Sequence, residues 1–288
     1  GLVKGASKGE GLGNKFLANI RETNAIIHVL RCFEDPNITH VDGVIDPVSD
    51  KETVELELQL KDLETLDKKK ESLKRIAGSG DKNALKQMDI IDQYYTHLIA
   101  GNSARTINVV NDECVVDLNL LTNKPVLYVC NVDEASVKGN KYTQMVQNSI
   151  VNDVAEMLII SAAIEADINE LDSFSDKKEF LDEIGLKEPG VNKIIRSAYS
   201  LLGLQTFFTA GEKEVRAWTI KKGTYAPQAA GVIHTDFEKG FIRVEVISYE
   251  DRIKYKTEQA CREAGKIAIE GKSYIVLDGD VMHFRFNV

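Results

Sequence analysis

Two short polar segments stand where two apolar, strand-like runs end, and their groups could recognise a nucleotide base. The run PVLYVC leads into NVDE at residues 131–134, and a second run that ends at Ile160 leads into Ser161 and Ala162. Loops that follow parallel strands lie on one edge of the sheet and carry its ligands. An NxxE at one strand end with SA at the next therefore predicts a pair of base-reading loops.

A glycine-rich stretch, GASKGEGLGNKF at residues 5–16, has the composition of a phosphate-binding loop but not its pattern. A Walker A loop, GxxxxGK[ST], needs backbone N–H groups and a lysine for the phosphates, and a hydroxyl for Mg²⁺. Gly13 is followed by Asn14, Lys15 and Phe16, so the hydroxyl is missing, and no other part of the sequence carries the motif. A Rossmann GxGxxG fails as well, because no strand precedes the alternating glycines. The stretch is predicted to be a loop that a ligand orders.

Composition limits the classes of function. The chain has 288 residues, 43% of them hydrophobic, which is enough for two domains, and its net charge of −9 disfavours general attraction to nucleic acid. No apolar run approaches the length of a membrane span, and no signal peptide is found. The histidines lack a zinc spacing and the cysteines form no CxxC, so we expect no metal site and buried, reduced thiols. We expect a cytoplasmic monomer that binds neither DNA nor membranes.

Alternating strands and helices must position the two polar loops. Residues 25–33 are apolar and β-branched, as a buried parallel strand should be, and a short helical pattern at 16–20 precedes them. Further strands are predicted at 125–134 and at the run ending at Ile160, with a helix at 144–157 between them. Strands that alternate with helices indicate a parallel α/β sheet.

Two long helical patterns interrupt this alternation and predict an inserted hairpin. The first covers 51–77, a Gly78-Ser79-Gly80 turn follows, and the second covers 83–100. Its apolar stripe consists of Leu56, Leu60, Leu63, Leu66 and Leu73. Near its tip lie five basic residues: Lys68, Lys69, Lys70, Lys74 and Arg75. They form either a solvated face or a contact with RNA.

The C-terminal part has a different pattern. Residues 177–204 are predicted to be helical, and short strand patterns then dominate 205–288, with one helix at 257–265. The strand patterns are FFTAG, EVRAWTI, FIRVEVI, YIVLDGD and VMHFRF. They indicate a small α+β domain, whose local basic face consists of Lys213, Arg216, Lys221 and Lys222.

Taken together, these segments resemble the YchF subfamily of Obg-related P-loop NTPases. The first residues, GLVKGASKGEGLGNKFLANIRETNAIIHVLRCFED, are similar to its switch II segment and following strand. NVDE and SAAIEADI match its base-recognition loops, and the hairpin stands where the family carries a coiled-coil insertion. QTFFTAGEKEVRAWTI, HTDFEKGFIRVEVI and DGDVMHFRF resemble its C-terminal TGS domain, a β-grasp module. The resemblance covers essentially the whole chain.

The resemblance implies an α/β fold: a G-type P-loop NTPase domain with a parallel sheet, an inserted α-helical hairpin and a TGS domain. The implied parts are a G-domain part at 1–45, the hairpin at 46–106, the remainder of the G domain at 107–204, and the TGS domain at 205–288. Gly1 matches the glycine of the family's DxAG motif, so we expect the P-loop portion to be absent from this chain. The chain alone is then expected to be inactive.

The resemblance also assigns roles to the glycine-rich stretch and to its neighbours. Switch II would carry Gly5, Gly9, Gly11 and Gly13, ordered by a γ-phosphate bound elsewhere. In Ras-type enzymes a glutamine follows the DxAG glycine and orients water, but Leu2 stands there and has no hydrogen-bonding group. We predict that His40, in the loop after the first strand, orients the water instead. The alternative is an ordinary polar loop histidine.

The family implies ATP rather than GTP, with Mg²⁺, and ribosomes or translation-associated RNA as partners. Adenine would be read by Asn131 and the backbone of Val132, Ser161 and Ala162 would close its other side, and Gly1 would lie near the phosphates. Glu134 is one methylene longer than the aspartate of the GTP-specific NKxD motif, which disrupts the paired contacts to guanine. Two alternatives stay open: a GTPase of the same architecture and, for this chain alone, a non-catalytic RNA- or ribosome-binding module.

Overall fold

The predicted parallel sheet is confirmed, and it forms the centre of the first part of the chain. The structure, a computed structural model, describes residues 12–40, 43–108, 115, 117–153, 155–211 and 214–287. The described ranges do not include the predicted sites at Gly1, Leu2, Gly5, Gly9, Gly11 and Lys213. The chain divides into two compact units, Gly1–Ala198 and Tyr199–Val288. The predicted domain boundaries stay predictions, and each unit is described by itself.

Three parallel strands form the sheet of the first unit: β1 (Ile26–Arg31), β2 (Val126–Asn131) and β3 (Ala155–Ile160). Their order is β1-β2-β3, and the register aligns Arg31, Asn131 and Ile160 at the carboxyl ends. Five of the six residues of β2 are buried, whereas Ile27 and Val29 of β1 are exposed. Central strands of α/β sheets are covered on both faces, which explains the continuous apolar run of β2.

Helix α1 (Leu12–Glu22) precedes β1 and buries Leu17 against Leu58 and Leu121. Gly13 lies inside this helix, so its prediction as a loop glycine is wrong. Its place in the first helical turn reduces the usual cost of glycine, because the first N–H groups of a helix have no intrahelical partner.

The helical hairpin is confirmed between β1 and β2. It consists of α2 (Pro47–Ala77) and α3 (Lys82–Ile99). The side chains of Asp46 and Asp81 cap the two helices by accepting backbone N–H groups, and Gly80 has a φ of +84° in the turn. The helices bury a shared apolar core: Leu66, Leu73, Ala84, Ile91, Tyr94 and Leu98.

The predicted stripe of α2 is wrong at one position, since Leu56 is 51% exposed. At that level α2 packs against α1 and the segment before β2 rather than against α3, and Leu58 takes the buried position. The fully buried Asp62 fixes this contact, because its carboxylate accepts hydrogen bonds from Leu121 N (2.7 Å), Thr122 N (2.8 Å) and Thr122 Oγ1 (2.7 Å).

The remaining helices described in the first unit show where the predicted helix boundaries are wrong. Helix α4 (Lys141–Ser149) starts with a capping box at Asn140 and ends well before residue 157, because residues 155–157 pair with β2. After β3 come α5 (Ala162–Glu170) and α6 (Phe174–Glu183). The predicted helical segment 177–204 is interrupted after α6 and resumes as α7 (Gly190–Leu201), since Gly185 with a φ of +72° terminates the earlier helix.

The second unit contains a five-stranded mixed sheet with the order β5-β4-β8-β6-β7. Its strands are β4 (Leu204–Ala210), β5 (Val215–Lys221), β6 (Phe241–Ile247), β7 (Ala268–Glu270) and β8 (Val281–Phe286). Its helices are α8 (Ala226–Ile233), α9 (Thr235–Lys239), α10 (Tyr249–Tyr255) and α11 (Glu258–Glu263). The core centres on Phe207, Ala230, Val244 and Met282, so the predicted α+β character is confirmed.

One predicted strand in this unit is wrong. Residues 274–280 form a loop with one isolated bridge at Ile275, held by Asp280, whose carboxylate accepts hydrogen bonds from Tyr274 Oη (2.7 Å) and Leu277 N (2.9 Å). Gly279, with a φ of +86°, turns the chain into β8. The sequence pattern also missed α8, α9 and α10, whereas α11 confirms the helix predicted at 257–265. Cys32, Cys130 and Cys261 are buried free thiols, as expected.

Candidate nucleotide-recognition site

The two predicted base-reading loops meet at the carboxyl edge of the sheet. Because β2 and β3 are in register there, Asn131 lies beside Ile160, and Val132 N donates to Ile160 O at 2.9 Å. The Asn131 carboxamide oxygen then accepts a hydrogen bond from Ala162 N at 3.0 Å. One side chain therefore joins the NVDE loop to the start of α5, and its amide nitrogen is left to donate elsewhere.

Ser161 occupies the N-cap position of α5 but does not cap the helix with its side chain. Its hydroxyl is buried and has no hydrogen-bond partner among the described residues. An unpaired buried hydroxyl costs about 1–3 kcal/mol. Ala162, in contrast, is exposed at the positive end of the helix dipole. A ligand at this edge could therefore contact Ala162 directly, whereas the Ser161 hydroxyl is shielded from it.

Val132 and Glu134 differ sharply in their surroundings. The Val132 side chain is 3% exposed and belongs to the core of the sheet, so it does not offer a stem on which a base could stack. Since its N–H is bonded to Ile160, the Val132 backbone offers only its carbonyl oxygen. Glu134 is exposed at the start of a short 3-10 turn, Glu134–Ser136.

His40 lies in the loop between β1 and α2, and the structure gives it a partner that the sequence pattern missed. Its Nε2 is 3.0 Å from Asp50 Oδ2, and Asp50 lies in the first turn of α2. The same loop is wrapped around Arg31, whose guanidinium donates to the carbonyls of Phe33, Asp35 and Ile38 at 2.9–3.2 Å. The only sequence signal for Asp50 is an acidic residue in the first turn of a helix.

A buried ionic cluster lies around Tyr128 in the middle of β2, and the base-reading edge lies at the end of the same strand. The Arg105 guanidinium donates to Asp153 (2.6 and 2.8 Å) and Glu55 (3.1 Å), and the Tyr128 hydroxyl from the middle of β2 donates to Glu55. Lys51 pairs with Glu55 at 3.1 Å. The Arg105, Lys51, Glu55 and Asp153 side chains are all less than a fifth exposed.

The pKa shifts of this cluster follow from burial and pairing. Burial, the largest single influence, raises the pKa of Asp153, but the hydrogen bonds and charge of Arg105 together with Tyr128 and Lys51 outweigh it, so the pKa is lowered overall. Burial, followed by the Glu55 charge, raises the pKa of Tyr128 and keeps its hydroxyl protonated. Burial also lowers the pKa of the neighbouring His28. Sequence reasoning missed this cluster because its members come from four separate segments.

The predicted basic residues gather in two places. Lys68, Lys69, Lys70, Lys74 and Arg75 lie at the far end of α2, where Lys70 pairs with Asp92 and Lys74 with Glu71. In the second unit, Lys221 and Lys222 are exposed, and Arg216 stacks on the Trp218 ring with 4.1 Å from its Cζ to the centroid.

Two features are absent from the described ranges. None of their helices is long and apolar enough to cross a membrane. They also hold no group of three or more His, Cys, Asp and Glu side chains that could bind a metal ion.

The fold is that of an α/β nucleotide-binding protein: a parallel sheet with an inserted helical hairpin, followed by a separate α+β unit. The family model YchF-GTPase_C, described as a protein of unknown function (DUF933), matches residues 204–287. The ribosome-binding ATPase YchF of Haemophilus ducreyi is 52% identical over 290 residues, which are 100% of this chain and 80% of that relative. The chain belongs to the YchF family, as its motifs indicated.

Other relatives agree. The ribosome-binding ATPase YchF of Bacillus subtilis is 48% identical over 293 residues, which cover 100% of this chain and 80% of the relative. The solved structure of the Schizosaccharomyces pombe YchF GTPase superposes with a TM-score of 0.85 at 38% identity, covering 96% of this chain and 76% of that one. A GTP-binding protein from Pyrococcus horikoshii has a TM-score of 0.58 at 19% identity, covering 94% and 81%, and shares the fold.

Proposed function

We propose that this chain recognises the base and engages the partner in an ATP-hydrolysing switch protein that acts on the ribosome. Relatives that match the chain over its whole length carry the name ribosome-binding ATPase. The observation that carries the proposal is the hydrogen bond from Ala162 N to Asn131 Oδ1. It ties together two loops at the strand ends, the edge where α/β sheets bind their ligands.

The chemistry of this edge favours adenine over guanine. Guanine presents two adjacent donors, N1–H and N2–H₂, which a carboxylate must accept together to gain the strength of a paired contact. Glu134 is longer than aspartate and begins an exposed turn, which loosens that pairing. Adenine needs instead an acceptor for its exocyclic amine and a donor for a ring nitrogen. The Val132 carbonyl and the Asn131 amide nitrogen supply these groups.

GTP is the second candidate nucleotide, because the S. pombe relative is named a GTPase. Competition of ATP and GTP for a fluorescent nucleotide on the full-length protein decides between them. We expect ATP to displace the probe at a concentration at least about tenfold lower than GTP, a difference of one lost paired contact. Equal competition would contradict the assignment of Asn131 and Glu134. The same competition assay on the 288-residue chain tests whether these residues bind nucleotide by themselves, since they contain no Walker A motif.

Hydrolysis requires a group that orients water, and we infer that His40 supplies it. Its Nε2 contacts Asp50 Oδ2 at 3.0 Å, which holds the imidazole in one orientation, and the pKa range of histidine suits the orientation of water. Phosphoryl transfer depends mainly on positioning and charge stabilisation, so a fixed imidazole suits the task. Mg²⁺ would accompany the nucleoside triphosphate and be held largely by its phosphate oxygens.

Single-turnover hydrolysis by the full-length protein tests His40. We expect His40→Ala to slow the step at least about a hundredfold, the lower range for general acid–base catalysis, with ATP affinity retained. His234→Ala, an exposed histidine of the second unit, is the matched control and should leave the rate unchanged. An unchanged rate for His40→Ala would remove this residue from the mechanism.

The hairpin end is proposed as an RNA contact. Seven basic and two acidic residues lie between Lys68 and Lys86, although the chain as a whole is acidic. Phosphate contacts by such residues make affinity fall steeply with salt. The second unit adds a smaller basic face at Arg216, Lys221 and Lys222. Binding to purified ribosomes at several salt concentrations tests the proposal, and binding that does not depend on salt would oppose it.

The domain plan remains part of the proposal. We infer that residues 1–45 and 107–204 belong to the nucleotide-binding domain, that the hairpin at 46–106 is a coiled coil, and that 205–288 is a TGS domain. The division of the chain after Ala198 is compatible with a separate C-terminal module. We further propose a cytoplasmic monomer, which sedimentation of the purified protein would test.

A further inference from the structure

Glu165, in the first turn of α5, reaches across to the start of another helix. Its Oε1 accepts a hydrogen bond from Gly190 N at 2.6 Å, and its Oε2 accepts one from Val191 N at 3.1 Å. These are the first two residues of α7. The first N–H groups of a helix lack intrahelical acceptors, and a carboxylate there is favoured by the helix dipole as well. Both oxygens of Glu165 are therefore used to hold α7.

The contact is tight because residue 190 is a glycine. A Cβ added to Gly190 would lie 2.9 Å from Glu165 Oε1 and 3.0 Å from Ile160 Cγ2. Ile160 is the last residue of β3 and directly precedes Ser161. The start of α7 thus packs against the strand end from which the second base-reading loop leaves, and any side chain at position 190 would push these elements apart.

Glu165 is also part of the base-reading loop through its backbone. Its N–H donates to Ser161 O at 3.1 Å and closes the first turn of α5. Ala162, which directly follows Ser161, donates its N–H to the Asn131 side chain. A displacement of α5 would therefore act on Ser161, on Ala162 and on the bond to Asn131 at once.

We propose that Glu165 is a positioning residue for base recognition: by binding the first residues of α7, it fixes α5 and thereby Ser161 and Ala162 opposite Asn131. The role rests on the proposed function of these loops. It predicts that the contact with α7 contributes to nucleotide affinity and base choice, and that the chemical step does not depend on it. A carboxylate that only capped α7 would affect stability alone.

The test is Glu165→Gln in the full-length protein, with Glu170→Gln as the control. A glutamine places an N–H₂ group against one of the two backbone N–H groups, so only one of the two bonds can form. Glu170 is an exposed residue at the end of the same helix. Titrations with ATP and GTP, steady-state kinetics and thermal melts are measured on each variant.

We expect Glu165→Gln to raise the ATP Kd and KM about five- to tenfold, within the usual range of energetic coupling between contacts, and to narrow the ATP-to-GTP preference. The kcat at saturating ATP and all values for Glu170→Gln should stay within about twofold of wild type. Gly190→Ala retains the Glu165 carboxylate but displaces it. This variant should also raise the ATP Kd, and it tests the proposal even if Glu165→Gln folds poorly.

Two outcomes overturn the inference, and they can be told apart. If wild type binds ATP and both variants melt at lower temperature with unchanged Kd and base preference, Glu165 only caps α7, and the proposed function stands. If the wild-type full-length protein binds no nucleotide, the proposed function fails and the positioning role fails with it.

Discussion

Strand β2 carries two polar constellations that are built in different ways. At its carboxyl end, Asn131 makes a single neutral hydrogen bond to Ala162, and Glu134 beside it is exposed. In its middle, Tyr128 belongs to a cluster in which Arg105 and Lys51 face Glu55 and Asp153 away from water. A neutral, partly open contact can be rearranged by a ligand at little cost. A buried set of charges cannot, because every member left unpaired carries its desolvation penalty.

The comparison assigns different tasks to the two regions. The ionic cluster joins α2, the segment after α3, β2 and the turn before β3, and so fixes the base of the hairpin on the sheet. The site at the strand end lies on the sheet that the cluster holds in place, and its hydrogen-bonding groups remain available to a ligand. Substitutions in the cluster should therefore change stability, and substitutions at the edge should change binding.

The largest effect is expected for Arg105→Met. It removes the cation shared by Asp153 and Glu55 and leaves two buried carboxylates, with Lys51 and the Tyr128 hydroxyl as the remaining partners of Glu55. Breaking a buried pair in this way costs about 3–5 kcal/mol of unfolding free energy. Urea unfolding measures it, and Arg75→Met at the exposed hairpin end is the control. A loss below about 1 kcal/mol, typical of a surface ion pair, would contradict the role given to the cluster.

Asn131→Ala should change ATP affinity more than stability. It deletes the link between the two loops and the proposed donor to adenine, and should weaken ATP binding about tenfold, the equivalent of one hydrogen bond. The unfolding free energy should fall by no more than about 1 kcal/mol, because the position is partly exposed. Asp133→Asn, an exposed neighbour, is the control. A large loss of stability with unchanged ATP affinity would make Asn131 a structural residue.

The pH dependence of stability is a further test of the ionic cluster. Since the pKa of Asp153 is lower in the folded state than in the unfolded state, the unfolded chain binds more protons as pH falls. The stabilising contribution of Asp153 is fully present above the pKa of an ordinary aspartate. It is lost as the pH falls through the lower pKa that Asp153 has in the folded state. Asp153→Asn should therefore flatten the acid side of the stability curve, measured by unfolding between pH 5 and pH 3 in about half-unit steps. An identical slope would show that Asp153 gains no net benefit from its pairing.

The smallest effect on stability is expected at the hairpin end. Replacing Lys68, Lys69 and Arg75 by Gln should change the unfolding free energy by no more than about 0.5 kcal/mol, as usual for surface residues. It should nevertheless weaken binding to ribosomes and reduce its salt dependence. Replacing Lys178, Lys187 and Lys239, three exposed lysines elsewhere in the chain, by Gln controls for total charge. Equal losses in both sets would indicate a general charge effect.

The predictions from sequence succeeded where the signal is local. Apolar β-branched runs, helical periodicity and the Gly78–Gly80 turn were enough for the sheet and the hairpin. They failed where tertiary pairing decides: residues 155–157 fit a helical pattern but pair with β2, and residues 274–280 fit a strand but fold around the Asp280 carboxylate. Leu56 failed for a related reason, since the partner of α2 changes along its length.

The family, the strands and hairpin of the first unit and the two polar segments at the strand ends can be read from the amino-acid sequence, because they depend on residue types at short spacing. Four contacts depend on the packing of distant segments instead: the bond between Asn131 and Ala162, the pairing of His40 with Asp50, the hydrogen bonds of Glu165 to α7 and the ionic cluster around Arg105. Apart from the Lys51–Glu55 pair, the partners in these contacts are 10 to 73 residues apart. No local pattern specifies which of many equivalent carboxylates will meet which partner, since that choice is made by the packing of the sheet, the hairpin and the helices around it.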